Sequence, residues 1–149
     1  MSSSPSRGLR YTLVALRAIV GGLFVYGGYV KLMAPWALFA MSIDNYHIVP
    51  FRWVEPMART LPWAEVALGV WFISGLLLRL SGLVSSALMA TFFTAMVHAK
   101  IAGQQIDCGC FGPGEPISKW TLLRDGSLLA ASLAVTWFAY RGARKKRDA

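Results

Sequence analysis

The sequence predicts an all-α integral membrane protein, a four-helix bundle with an interfacial first outer loop. Three observations predict it. Of 149 residues, 56% are hydrophobic and only 15% are Asp, Glu, Lys or Arg, whereas soluble domains carry about 25% charged residues. Four apolar stretches approach the ~20 residues that a helix needs to cross a bilayer. Five of the fifteen cations crowd into the last nine residues, at Arg141, Arg144, Lys145, Lys146 and Arg147. A terminal basic run beside a hydrophobic segment orients a membrane protein, so the net charge of +8 does not point to nucleic acid. The length fits a single membrane domain, residues 1–149, with no room for an appended soluble enzyme domain. Two cysteines are too few for a multi-disulfide scaffold.

The elements follow in order after a short Ser-rich start, residues 2–6. The first span is expected at 11–33. A cleaved secretory leader is the competing reading, disfavoured by Arg17 within the apolar run and by the lack of a small-x-small site before Lys31. The first outer loop, 34–61, mixes Trp36, Phe39, Tyr46, Phe51 and Trp53 with Pro35, Pro50 and Pro56. It is too apolar for a solvated linker and reads as interfacial helical pieces lying over the bundle. Spans two and three are expected at 62–78 and 80–99, meeting at Arg79 in a short antiparallel hairpin. The fourth is expected at 120–140, followed by a basic tail, 141–149. Each span must be helical, because lipid offers no partner to an unpaired backbone.

Counting Lys and Arg orients the bundle. With both termini inside, the inner face carries Arg7, Arg10, Arg79 and the five C-terminal cations, against Lys31, Arg52, Arg59, Lys100 and Lys119 outside. The expected location is the bacterial inner (cytoplasmic) membrane, with both termini cytoplasmic and the 100–119 loop on the oxidising periplasmic side. Trp36, Trp53, Trp63 and Trp120 then fall at the outer ends of spans, as an interfacial belt does.

That loop holds both cysteines, in Asp107-Cys108-Gly109-Cys110-Phe111-Gly112-Pro113-Gly114. A bridge between residues two apart closes a very small, strained ring, which Gly109 eases through its wider backbone freedom. Strained, exposed disulfides are the oxidising, labile ones used in exchange, whereas so short a loop adds little as a structural staple. Soft-metal binding is the alternative. Cys108 and Cys110 with His98 and His47 give a two-Cys, two-His set, and a Cys-x-Cys pair suits Cu(I). The spacing is tight for zinc, and His47 lies in another loop. An inert pair is the third reading.

Ionisable residues within spans are costly and therefore informative. Arg17, Gly21, Gly28 and Lys31 share one helix face, whose glycines permit close helix approach; Arg17 reads as snorkelling to headgroups. Glu65 stands one turn before Gly69. A small-residue stripe, Gly82, Ser86, Ala90 and Thr94, leads to His98 and is expected to point it inward. Lys31, Glu65, His98, Lys100, Arg124 and Asp125, with Asp107, thus converge on the outer rim beside the cysteines. They serve either as a structural ion-pair network or to tune the thiols and carry their protons.

Three blocks carry a family likeness: Arg17-x3-Gly21-x2-Phe24-x3-Gly28-x2-Lys31, Leu61-Pro62-Trp63-Ala64-Glu65-x3-Gly69, and Asp107-Cys108-Gly109-Cys110-Phe111-Gly112. On these residues, from about Arg17 to Asp125, the chain resembles the methylamine utilisation protein MauE family of DoxX-like four-helix membrane proteins. The resemblance implies a membrane protein that forms or transfers disulfides outside the cytoplasm through Cys108 and Cys110, with an extracytoplasmic thioredoxin-like partner. In methylamine-utilising bacteria such proteins are linked to maturation of the disulfide-rich small subunit of methylamine dehydrogenase, a substrate that is not carried over here. DoxX-like relatives coupled to quinones imply a quinone acceptor, for which Trp36, Trp53 and Trp63 are the candidate contacts beneath the aromatic loop. The chain departs from disulfide oxidases of the vitamin K epoxide reductase type, which use a Cys-x-x-Cys and a second cysteine pair. The single Cys-x-Cys leaves the direction of electron flow open.

Overall fold

The computed structural model describes residues 7–112 and 114–147. The Ser-rich start and Asp148 lie outside the described residues. Among the described residues five helices follow one another: α1 Arg7–Met33, α2 Trp36–Asn45, α3 Phe51–Ser74, α4 Leu78–Ile101 and α5 Lys119–Arg147. Among the described residues there is no strand, only one isolated bridge between Asp107 and Pro116. Helices α1, α4 and, over Lys119–Gly142, α5 are long and apolar enough to cross a membrane. The chain is a helical membrane protein. Helix α3 matches α4 in length at 24 residues, but its first half carries Arg52, Glu55 and Arg59, with Glu55 and Arg59 paired across one turn at 2.9 Å.

Two boundaries differ from the sequence expectation. Helix α3 starts well before residue 62 and runs through Pro56 and Pro62. Most of the aromatic loop is therefore helical, as α2 and the first turns of α3. Pro35 and Pro50 precede these two helices, where a missing N–H removes no helical hydrogen bond. The link between α3 and α4 is not at Arg79 but at Gly75–Leu77, with Gly75 at φ 73° and Leu77 at φ 46°. A left-handed glycine ends the helix there, which puts Arg79 in the first turn of α4. At the other end of the chain, α5 continues through the basic run to Arg147.

The helices pack as two close pairs, α1 along α3 and α4 along α5; α2 lies against α3, α1 also meets α5, and α3 and α4 touch least of these. Glycines make the first pair. A Cβ on Gly28 would stand 2.7 Å from the carbonyl oxygen of Pro62, and one on Gly69 would stand 2.6 Å from that of Gly21. Any side chain would push the backbones apart. Hydroxyls make the second pair: Ser86 Oγ lies 2.8 Å from Ser132 Oγ and 3.4 Å from Thr136 Oγ1. Val20, Phe72 and Val135 close the middle of the bundle. Arg17 does not simply reach for headgroups. Its guanidinium packs over Gly75, at the C-terminal end of α3, where a cation meets the negative end of the helix dipole.

The stripe expected to turn His98 inward rotates away. Gly82 and Ser86 are buried, but Thr94 and His98 are exposed. Four residues turn a helix by about 400°, so a four-residue stripe drifts about 40° per step. The face that stays inside instead runs Ser81, Ser85, Met96 and Ala99.

Candidate functional site

The site is built by the loop between α4 and α5, which folds back into the end of the bundle. Its two arms pair as a short hairpin. The Cys108 N–H donates to the Glu115 carbonyl at 2.8 Å, and the Ile117 N–H donates to that of Ile106 at 3.1 Å. Asp107 braces the tip by accepting the Gly114 N–H at 2.9 Å, and Lys100 Nζ donates to the Ile117 carbonyl at 3.2 Å. Gly109, at φ 69°, turns the chain between the cysteines in a conformation that L side chains rarely adopt. The tip reaches α1: a Cβ on Gly27 would meet the Cys110 carbonyl oxygen at 3.0 Å. Gly27 precedes the end of α1, Met33, by roughly 9 Å of helix. The loop therefore folds back past the end of α1 into the bundle, where protein surrounds its irregular backbone.

Helix α2 forms the roof. A Cβ on Gly109 would lie 3.2 Å from Ser42 Cβ and 3.6 Å from the Phe39 ring, so even a methyl group there would press on α2. Tyr46, just past α2, donates its hydroxyl to the Cys108 carbonyl at 3.0 Å. Burial and the neighbouring acidic groups push the phenol pKa up, so Tyr46 remains a donor.

Both cysteines are free thiols, Cys108 buried and Cys110 partly so. They are unequal. Hydrogen bonds from the Cys110 side chain and from its backbone N–H, 3.4 Å from Cys108 Sγ, hold the Cys108 pKa down against its burial. Cys110 keeps the proton, and that shared hydrogen bond, burial and the charges of Cys108 and Asp125 all push its pKa up. On its other side Cys108 Sγ is 3.4 Å from Glu115 Oε2. Arg124 grips Glu115 at 2.5 Å and touches Asp125 Oδ1 at 3.0 Å, and its hydrogen bond keeps the Glu115 carboxyl below the usual range. Cys110 Sγ rests 3.7 Å from Met96 Sδ.

Below the loop lies a cavity of about 60 Å³ bounded by Phe24, Phe92, Phe93 and Phe111, with Glu65, Cys110 and Asp125 among its lining groups. Lys31 and Glu65 form a buried ion pair across α1 and α3, with Nζ 2.6 and 2.8 Å from the two carboxylate oxygens. Lys31 Nζ also lies 4.8 Å from the Phe39 ring centre. Both Glu65 oxygens are thus occupied. Asp125 differs, since its Oδ2 is buried without a hydrogen-bond partner.

The structure accordingly gathers Lys31, Glu65, Arg124, Asp125 and Asp107 around Cys108 and Cys110. It leaves out His98 and His47, both exposed; among the described residues no group of three His, Cys, Asp or Glu side chains is placed to hold a metal. Trp36, Trp53 and Trp63 are likewise exposed, at 42%, 54% and 65%, and none borders the cavity. An indole on a helix next to lipid satisfies its N–H at the interface rather than within the bundle. Sequence reasoning missed Glu115, Met96, Phe92 and Phe93, and met Phe24, Phe111 and Tyr46 only as motif or loop residues with no place at the site. Glu115, seven residues after Cys108 in a loop otherwise poor in charge, carried a signal; Met96 carried none.

Comparison with known proteins agrees with the three blocks. A family model described as methylamine utilisation protein MauE matches residues 9–138. A protein of Paracoccus denitrificans named methylamine utilization protein MauE is 31% identical over 126 residues, covering 83% of this chain and 67% of that protein. No solved structure matches.

Proposed function

The chain belongs to the methylamine utilisation protein MauE family, and from that premise we propose that it is a membrane thiol–disulfide oxidoreductase working through Cys108 and Cys110. The carrying observation is the inequality of two hydrogen-bonded thiols at the edge of an apolar cavity. In exchange, the thiol of lower pKa is the better leaving group. A partner thiolate therefore attacks Cys110 Sγ, the Cys108–Cys110 bond breaks, and Cys108 leaves as the thiolate. The partner's second thiol then displaces Cys110, which takes a proton. The partner ends as a disulfide and the pair ends reduced, Cys108 as the thiolate and Cys110 as the thiol.

The partner is an extracytoplasmic thioredoxin-like protein, the cysteine end of the bundle faces the periplasm, and both termini are cytoplasmic. Lys and Arg counts support that orientation. The relative's name ties that protein to methylamine utilisation, and that context is where the partner of this chain is to be sought. Returning the pair to the disulfide removes two electrons and the Cys110 proton. An acceptor of the quinone class, dissolved in the bilayer, supplies that chemistry. The phenylalanine-lined cavity beside Cys110 offers such an acceptor apolar contacts that the exposed tryptophans do not. At about 60 Å³ it must widen to admit a ring, since a cavity that holds benzene is about 150 Å³. Asp125 Oδ2, unpartnered and bordering the same cavity, takes the Cys110 proton. Lys31 and Glu65, fully paired, hold the cavity wall.

Single-cysteine variants test the reading. With the partner supplied in its oxidised form, Cys108→Ser lacks the thiolate that resolves the reverse exchange and should accumulate a mixed disulfide through Cys110, whereas Cys110→Ser should trap far less. Identifying the trapped protein by mass spectrometry names the partner. Failure of both variants to trap any protein, together with no exchange between the intact pair and a thioredoxin-like dithiol at any potential, would overturn it.

A further inference from the structure

We propose that the reduced cysteine pair and Met96 form a three-sulfur site for a soft monovalent cation, copper(I) or its redox-inert analogue silver(I). Met96 reaches the cysteines from α4, on the buried face that displaced His98. It is 1% exposed and packs in one cluster with Cys108, Cys110, Ala99 and Ile117. Its Sδ stands 3.7 Å from Cys110 Sγ, and Cys108 Sγ lies 3.4 Å from the Cys110 backbone nitrogen. Two sulfurs that share a metal at bonds of about 2.3 Å stand roughly 3.8–4.0 Å apart. The Cys110–Met96 pair is already near that separation, so a cation could enter with little rearrangement of α4.

The ligand chemistry selects the ion. Thiolate and thioether donors favour soft, low-coordinate ions such as copper(I) over zinc, calcium or magnesium. Of the carboxylates beside the sulfurs, Glu115 is held by Arg124 at 2.5 Å, whereas Asp125 keeps Oδ2 unpartnered. The absence of an oxygen neighbour in the X-ray absorption spectrum is therefore what separates the all-sulfur site from a harder one. The surroundings are apolar, with Cys110, Phe92, Phe93, Met96 and Phe111 bordering one cavity, which keeps competing water away.

Binding balances without electron transfer. One cation replaces two thiol protons and gains the thioether, leaving a site of net charge −1 and two protons released. Lys31 Nζ, 5.7 Å from the Phe92 ring centre, and Arg124, 4.4 Å from the Phe111 ring centre, lie around the site. Each is already paired with a carboxylate, so the site keeps its negative charge. The inference does not rest on thiol–disulfide exchange, because it uses only the reduced pair. Its consequence for exchange is inhibitory, since a metal-bound pair cannot form its disulfide.

The test uses the full chain, purified in detergent, reduced and kept anaerobic. Silver(I), and copper(I) in competition with a chromophoric chelator, should each bind at one equivalent, and X-ray absorption should count three sulfur neighbours. Met96→Leu preserves volume and should lower affinity at least about tenfold, the scale on which a supporting group contributes to a metal site. It should also reduce the sulfur count from three to two. Cys110→Ser should abolish binding. Unchanged affinity and sulfur count in Met96→Leu, tighter binding of zinc than of silver, or nitrogen and oxygen neighbours in the spectrum would overturn the site. Tight silver binding in a protein that exchanges with no dithiol would support the site while defeating the exchange reading.

Discussion

The two helix pairs solve one problem by different means. Along α1 and α3 the backbones meet through Gly21, Gly28 and Gly69, and a buried ion pair, Lys31–Glu65, stands in the same interface. Along α4 and α5 contact runs through Ser86, Ser132 and Thr136, each able to hydrogen-bond within its own helix if the partner moves. The first interface has no tolerance: a glycine cannot shrink, and a buried charge cannot lose its counter-charge. The second is a set of small, individually replaceable terms. The cysteine loop touches both, with Cys110 against Gly27 of α1 and Met96 of α4, so the rigid pair sets where the sulfurs sit.

Breaking the ion pair should have the largest effect. Lys31→Met leaves the Glu65 carboxylate buried and uncompensated and should cost about 3–5 kcal/mol, read as loss of folded protein in detergent. Adding Glu65→Leu should recover much of it, because an apolar pair of similar volume is often neutral or stabilising. A double variant as unstable as the single one would mean that the charges hold more than each other.

Gly69→Val comes next. Its Cβ would approach the Gly21 carbonyl oxygen and the Val25 backbone, so the helices must separate, at about 1–3 kcal/mol or more. The shift should also disturb the cysteine loop, seen as faster thiol alkylation. Ser86→Ala, across the bundle, should cost only about 0.6 kcal/mol and at most about 1.7, the range for hydrogen bonds between membrane helices. An equal effect of the two substitutions would erase the contrast between the pairs.

The smallest change concerns charge alone. Glu115 raises the Cys108 pKa, both by its charge and as the acceptor of the thiol. Glu115→Gln removes a negative charge beside the sulfur and should favour the thiolate. The pH midpoint of Cys108 alkylation, already below that of an ordinary thiol, should therefore move lower still. An upward shift would show that freeing Arg124 from its carboxylate partner matters in the opposite sense.

Much of the site was legible because its residues are chemically improbable in a membrane. Lys31, Glu65, Arg124 and Asp125 announce themselves by charge, and Asp107-Cys108-Gly109-Cys110 by spacing. His98 illustrates the limit. A stripe of small residues follows a helix face only over a few turns, and across the length of α4 a drift of about 40° per step moved the histidine out and Met96 in. The tryptophans show a second limit, since an aromatic residue near a span end fits an interfacial belt and a ligand pocket equally well from sequence.

The sequence by itself determined the membrane setting, the helical class, the glycine face of α1 and the close spacing of the two cysteines. Those follow from composition, from the cost of unpaired backbone in lipid and from local spacing. Only the tertiary structure decided that the cysteine loop turns back into the bundle, that α2 covers it, and that Glu115, Tyr46 and Met96 become its neighbours. Those contacts join residues up to 62 positions apart, as Tyr46 and Cys108 are. They arise from helix pairing, which no local pattern encodes.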